Sequence, residues 1–488
     1  MPKVKEKIKK KKVAKTKQVE EKAKPSLKGI YSQLLDEIEK EYSLSSSDLH
    51  RHRISSGLIC SDLVIGGGLC AGWCSVSGQE ASGKSTLTAH AMKEALKYDL
   101  FIREMLDPEG TVESVYTGNI FNVKSLTEVF GEKNNKGEWI GEPGDIRYSD
   151  VNVMDDIFNS LIKTTKSLPD KMYRKENDSW YFVLDPNDKR TALFRESLGE
   201  PDASLKRKTG RLWYLTDNPW PQAFITLDSL PALITEKSEE KDDNDKGLAH
   251  QARAFSEFLP RLVGKLRRKN IVIMAVNQLR EKPMVMFGSP FYEPGGNALK
   301  FYASNRNQMF PRVIPPSWRT SGGTNNIAIE KSLVGDSFDE YQWKEFLNSK
   351  NKWSTPYRKC SMRVWIKDGQ TSEGRGFDLA FDTWMGYQYS SLATQINKSI
   401  DKKTTKVLQF RKDLPKGLES LAGKEIPWRD MKALVYGKEF KQREYKDLGE
   451  KTATKLKIDP KLDVRVKLAK LVNTGKVSYS PVKDIKDD

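Results

Sequence analysis

The chain has 488 residues, 83 of them lysine or arginine and 66 aspartate or glutamate, for a formal net charge of +17. That length supports a large core and two or three domains, and the longest central apolar run, residues 271–276, is far too short to cross a bilayer. Four cysteines with one close pair, Cys70 and Cys74, suggest neither a metal site nor a disulfide framework, so a reducing, cytoplasmic setting is expected. The positive surplus makes a polyanion, nucleic acid first, the expected partner, with solubility charge as the alternative.

Residues 1–25 are dominated by lysine, including Lys9 to Lys12, and carry almost no bulky apolar side chain, so they read as a disordered basic tail. Such a tail is either a non-specific phosphate-binding arm or a solvated end. No apolar segment follows its lysines, so no secretory signal is read. Within residues 26–50, Ile30, Leu34, Leu35 and Ile38 mark one face of a helix that must dock on something, a neighbouring subunit included. Residues 54–86 then read as a strand, the glycine turn Gly66-Gly67-Gly68, and a second buried strand running into a glycine loop.

That loop, Gly78-Gln79-Glu80-Ala81-Ser82-Gly83-Lys84-Ser85-Thr86, fits the pattern G-x-x-x-x-G-K-[ST] without departure. Gly78 and Gly83 let the backbone turn so that successive amide N–H groups face one anion, and the helix opening at Lys84 adds its positive end. Lys84 is placed for the outer phosphates and the Ser85 hydroxyl for a magnesium ion, so a nucleoside triphosphate and Mg²⁺ are the expected ligands. A strand before the loop and apolar residues at helical spacing from Leu87 to Leu96 supply the context the motif requires.

Beyond the loop helix, Leu106-Asp107-Pro108-Glu109-Gly110 puts Glu109 at the carboxyl end of a strand, where a carboxylate orients water against a γ-phosphate. Residues 166–222 interleave Lys171, Arg174, Lys175, Arg190, Lys206, Arg207, Lys208 and Arg211 with Tyr173, Trp180, Tyr181, Phe182, Trp213 and Trp220. They read as a small inserted subdomain with its own aromatic core, or else as a surface that stacks bases. The run Ala223-Phe224-Ile225-Thr226-Leu227-Asp228-Ser229 has the form of a buried parallel strand delivering Asp228 to the metal. Polar residues 236–246 are expected as a mobile loop, residues 247–268 as an amphipathic helix, and residues 271–278 as a buried strand with the polar tip Asn277-Gln278.

The next stretch, from Met284-Val285-Met286-Phe287-Gly288 to Gly295-Gly296-Asn297-Ala298-Leu299-Lys300-Phe301-Tyr302-Ala303-Ser304, closely resembles the second DNA-binding loop and following helix of the RecA recombinase family. The bacterial RecA proteins and their phage-encoded relatives are the nearest pattern. The resemblance extends over residues 54–120 and 224–306 and more loosely over 363–386. It implies that Glu109 is the catalytic glutamate acting with Lys84, and that Glu113 and Tyr116 contact adenine. Asp228 would be the metal-side aspartate, and Gln278 the residue that senses the γ-phosphate. DNA contacts are implied at Arg280, Met286, Phe287, Gly288, Gly295, Gly296 and Asn297, with 236–246 as the first DNA loop. Subunit contacts are implied at Lys300 and Phe301. Lys367 resembles a lysine that reaches ATP across the interface, although its usual companion two residues on is Gly369 here. The lysine-rich C-terminal part stands where bacterial RecA ends in an acidic tail, so it is expected to contact DNA or a partner.

The expected fold is α/β: a RecA-like P-loop ATPase core over residues 51–390, with a central mainly parallel sheet flanked by helices. Insertions are expected at about 166–222 and 307–356, with a basic domain or extension at 391–488. The implied protein is an ATP-dependent recombinase that forms filaments on single-stranded DNA, pairs it with duplex DNA, and meets single-strand-binding or mediator proteins in the cytoplasm of a host cell. A hexameric RecA-fold helicase, or a DNA-binding scaffold with a decayed ATPase, remains the alternative.

Overall fold

Residues 72–78 are buried at every position, the condition of a central strand in a sheet covered on both faces. The computed structural model describes residues 52–110, 115–121, 123, 125–133, 139–140, 146–174, 177–188, 192–205, 210–235, 244–281, 291–311, 341–365, 376–400, 403–439 and 443–481. In chain order the core elements are α1 (Ile59–Ile65), β1 (Gly72–Gly78), α2 (Lys84–Ala95), β2 (Ile102–Leu106), β3 (Ile146–Ser149) and α3 (Met154–Ser167). A three-stranded unit follows: β4 (Asp170–Arg174), β5 (Ser179–Leu184) and β6 (Leu212–Thr216). The core resumes with β7 (Ala223–Leu227), α4 (Asn244–Arg268), β8 (Ile271–Gln278), α5 (Gly296–Tyr302), β9 (Asn305–Pro311), β10 (Tyr341–Asn351), β11 (Lys359–Trp365) and α6 (Leu379–Tyr389).

The central sheet has eight strands in the order β11-β10-β9-β1-β8-β7-β2-β3. From β9 to β3 every neighbouring pair is parallel, while β10 and β11 add antiparallel strands at one edge. The sheet is therefore mainly parallel, as expected. Strand alternation divides the side chains between two layers. Cys74, Val76, Val272, Met274 and Phe224 face α2 and pack with Leu87, Ala91 and Met92. Trp73, Ile271, Ile273, Ala275 and Ile225 face the other way and pack with Ile157 and Leu161 of α3 and Phe255, Leu259 and Leu262 of α4.

The strand expected before the glycine turn is a correction: residues 59–65 form the buried helix α1. Their β-branched composition favours a strand locally, but the N–H groups of Ile59 and Cys60 donate to the Asp382 carboxylate at 2.8 and 2.9 Å. A distant aspartate thus caps the helix start. At the other end Gly66, at φ 91°, ends α1 by donating to Leu63 O at 3.2 Å. Helix α4 begins at Asn244, so the last three residues of the expected polar loop are helical.

Residues 166–222, expected as an inserted unit, contain a separate sheet. Strands β4, β5 and β6 form a separate antiparallel sheet. Tyr181, Val183 and Trp213 cluster on one face of it and Phe182, Leu184 and Tyr214 on the other. Each face of the sheet thus has its own buried aromatic cluster. Of residues 307–356, the described parts run into the central sheet as the end of β9 and all of β10. C-terminal to α6 come β12 (Ala393–Ile400), β13 (Lys403–Phe410), β14 (Glu425–Pro427), α7 (Trp428–Glu439), α8 (Arg443–Lys455) and α9 (Val464–Asn473). Trp428, Met431, Val464 and Leu468 belong to the same apolar cluster as α1 and α6, and Arg465 bonds the Asp382 carboxylate at 2.5 Å. The C-terminal elements are therefore packed into the core rather than appended to it.

Candidate phosphate-binding site

Because β1, β8, β7 and β2 are adjacent and parallel, their carboxyl ends lie along one edge of the sheet, where open α/β sheets gather ligands. Gly78 ends β1 and stands beside Gln278, the exposed tip of β8. Asp228 follows β7, and its N–H donates to Leu106 O at the end of β2. Glu109 lies three residues past β2 and is exposed, and it accepts a hydrogen bond from the Ser229 hydroxyl. Lys84, Ser85, Glu109, Asp228 and Gln278, far apart in sequence, thus converge on one edge.

The loop from Gly78 to Gly83 is held in a tight turn. A Cβ on Gly78 would come within 2.4 Å of Ser82 Oγ and 2.7 Å of Met309 O, and Gly83 sits at φ 90° directly before α2. Both positions require glycine. Lys84 Nζ donates to Gln79 O at 2.7 Å and approaches Ser82 Oγ at 3.5 Å, so the ammonium lies over the loop's own concavity. Burial lowers the Lys84 pKa, while Asp228, Glu109 and Glu80 work in the opposite direction.

Asp228 is 5% exposed, and its pKa is raised to about 6, first by burial and further by Glu109 and Asp107. A hydrogen bond from Ser85 partly offsets this, and Thr88 Oγ1 lies 3.4 Å from Asp228 Oδ2. Buried carboxylates that repel one another beside hydroxyl groups form a hard-oxygen set suited to a small divalent cation. The residues present therefore fit Mg²⁺.

Two contributors escape a motif search. Asp107, 1% exposed, accepts from the Tyr148 hydroxyl at 3.1 Å and adds negative charge near Asp228. Its signal was its place between Leu106 and Glu109. Lys344 of β10, 1% exposed, donates to Ala81 O at 2.5 Å and to Gln342 Oε1 at 2.8 Å, so it holds the phosphate loop from behind. Nothing local in the sequence announces that contact across 263 positions.

Of the residues expected to meet DNA or a neighbouring subunit, Gly295, Gly296, Asn297, Lys300 and Phe301 lie at or within α5. Gly295 and Gly296 open that helix, Asn297 is exposed, Ala298 and Leu299 are buried, and Lys300 is half-buried. Phe301 is 73% exposed, so it does not fill its own subunit's core. Arg280 is exposed in a short strand, Arg280–Glu281, paired with Phe291–Tyr292. Tyr116 lies in the helix Val115–Phe121. Glu113, Met286, Phe287, Gly288, Lys367 and the segments 1–50 and 236–243 fall outside the described residues.

A mainly parallel sheet flanked by helices, with a glycine loop and carboxylates at its strand tips, defines an open α/β fold with a phosphate-binding loop at its edge. The family described as RecA N-terminal domain matches residues 222–341. Protein RecA of Clostridium perfringens (strain 13 / Type A) is 32% identical over 155 residues, covering 32% of this chain and 39% of that protein. Protein RecA of Rickettsia bellii (strain OSU 85-389) is 31% identical over 193 residues, 40% of this chain and 51% of that protein. The family model and both relatives are similar to part of this chain. The chain spans about two fifths to one half of the length of these relatives. A crystal structure of the RadB recombinase aligns with 66% of this chain and 98% of its own at 14% identity and a TM-score of 0.35, which adds nothing to the argument. Among the described residues no helix is long and apolar enough to cross a membrane.

Proposed function

We propose that the protein is an ATP-dependent DNA recombinase that polymerises on single-stranded DNA in the cytoplasm, with Mg·ATP at the strand-tip site, and pairs that strand with homologous duplex DNA. The observation that carries this reading is the convergence of Lys84, Ser85, Asp228 and Glu109 on one sheet edge while α5, whose C-terminal end lies by the amino end of β1, presents Phe301 to solvent. The loop amides and Lys84 bind and orient the phosphates. Ser85 and Asp228 hold Mg²⁺, which when bound neutralises phosphate charge. Glu109 accepts a proton from the attacking water, and Ser229 fixes its carboxylate by donating to it. Gln278, beside Gly78, is placed to sense the outer phosphate and pass its presence to the DNA-binding segment that follows.

On this reading Phe301 fills a pocket on the next subunit, and the surplus of positive charge draws the polymer onto the phosphate backbone. Strand exchange tests it. The protein with Mg·ATP should transfer a single strand into a homologous duplex, and Lys84→Ala should not. A wild-type protein that hydrolyses ATP and separates strands without any exchange is instead a helicase, and the proposal fails.

A further inference from the structure

Glu293 stands two residues before the glycine pair that opens α5, within the stretch that resembles a DNA-binding loop. It is only 5% exposed, and a carboxylate in that position needs partners. Its Oε1 accepts from the Ser77 hydroxyl at 2.8 Å and pairs with Arg306 Nη2 at 2.8 Å. Ser77 is the last residue before Gly78 on β1, and Arg306 belongs to β9, which pairs with β1 on the side away from β8. The next residue is fastened too. Pro294 O accepts from Asn277 Nδ2 at 3.0 Å, and Asn277 Oδ1 accepts from the Gln278 N–H at 2.9 Å. Ser77 and Asn277 are register partners.

Two consecutive residues are thus bolted to the tips of two adjacent strands. One strand leads into the phosphate loop, and the other ends at Gln278. Farther along the chain, Gly295 and Gly296 turn into α5 at φ 89° and 76°.

We propose that Glu293 is a positioning residue that couples the polynucleotide-binding segment before it to the phosphate loop, through Ser77 and Arg306. Directional bonds buried at low dielectric resist stretching, so a displacement of residue 293 by a bound strand must move Ser77 and Arg306 or break their bonds. The coupling is reciprocal: whatever factor DNA adds to nucleotide affinity, nucleotide adds to DNA affinity. This inference rests on the recombinase reading.

The test uses the full chain. ATP hydrolysis is measured with and without poly(dT), alongside the affinity for a fluorescent ATP analogue and the melting temperature. Glu293→Gln keeps the side chain's size and an acceptor for Ser77 but removes the charge facing Arg306. Stimulation by poly(dT) is expected to fall about tenfold, with analogue affinity in the absence of DNA shifting less than about twofold. Ser77→Ala, which deletes a single hydroxyl, should lower the stimulation in the same direction, and it serves if the glutamine variant does not fold. Full stimulation in a folded variant overturns the proposal. So does a loss of stimulation matched by an equal loss of analogue affinity, since that describes a distorted phosphate loop. A wild-type protein that poly(dT) does not stimulate contradicts the recombinase reading and this inference with it, whereas stimulated wild type with equally stimulated variants contradicts this inference alone.

Discussion

Two regions of the molecule hold a charge at a cost, and they hold it differently. At the strand tips, Asp228 is buried beside Glu109 and Asp107, which raise its pKa along with burial. In the inserted sheet, Lys171 is 1% exposed with its pKa lowered to about 7, chiefly by burial. Lys171, however, is satisfied: it donates to Trp220 O and lies 5.7 and 5.3 Å from the ring centroids of Trp180 and Phe182. Asp228 has hydroxyl partners too, but only Asp228 is also pressed by like charges. Desolvation alone therefore does not mark a site, whereas converging like charges at the carboxyl ends of parallel strands do.

The comparison breaks most easily at Glu109. Glu109→Gln keeps the shape but removes the proton acceptor, so turnover should fall by about 10²- to 10⁴-fold while ATP still binds. A steady-state ATPase assay with an independent nucleotide-binding measurement checks it, and unchanged turnover refutes the role. Lys84→Ala removes the fixed positive charge over the loop and should weaken nucleotide-dependent activity by about 10²-fold or more with little change in melting temperature. A fluorescent-nucleotide titration reads the loss.

Asp228→Asn sharpens the contrast, because it should stabilise the ligand-free protein. Burial first, and the nearby carboxylates, push the folded carboxyl from its ordinary value of 3.8 up to about 6. At pH values below both, it is protonated in the folded and unfolded chains alike and has no charge to bury. As pH rises from about 4 through 6 the folded state loses that advantage. Above pH 6 the variant should therefore be more stable by on the order of 2 kcal/mol, the gain shrinking toward pH 4, and it should no longer bind Mg·ATP. Thermal melts across that range decide it, and a destabilised variant at pH 7.5 would reverse the argument.

The smallest effect belongs to Lys171→Met. A lysine with a lowered folded pKa costs stability while it is charged, below about pH 7, and that cost is relieved as pH climbs toward its ordinary value of 10.5. The methionine variant should be more stable by about 1 kcal/mol at pH 6.5 and lose its advantage by about pH 9.5, with ATP hydrolysis untouched. A change in hydrolysis would show that the inserted sheet takes part in the site.

The sequence disclosed those parts of the molecule whose cause is local. Strands β1, β7 and β8 and helix α2 are short apolar runs or periodic stretches bounded by glycine or polar tips, and their ends carry Gly78, Asp228, Gln278 and Lys84. The aromatic residues of 166–222 also disclosed their own core. What stayed hidden depends on distant partners. The helical state of α1 rests on Asp382, the backing of the phosphate loop on Lys344, and the burial of Glu293 on Ser77 and Arg306. Each is a polar contact across more than two hundred positions or across strands whose pairing no local pattern fixes.

The central claim is that this strand-tip site works within a polymer on single-stranded DNA, with Phe301 of α5 as a subunit contact. Electron microscopy of the full chain with poly(dT) and a non-hydrolysable ATP analogue tests it most directly. The account predicts helical filaments for the wild type, and dispersed particles for Phe301→Ala at an unchanged melting temperature. Closed rings, or filaments that persist in the Phe301→Ala variant, would contradict it.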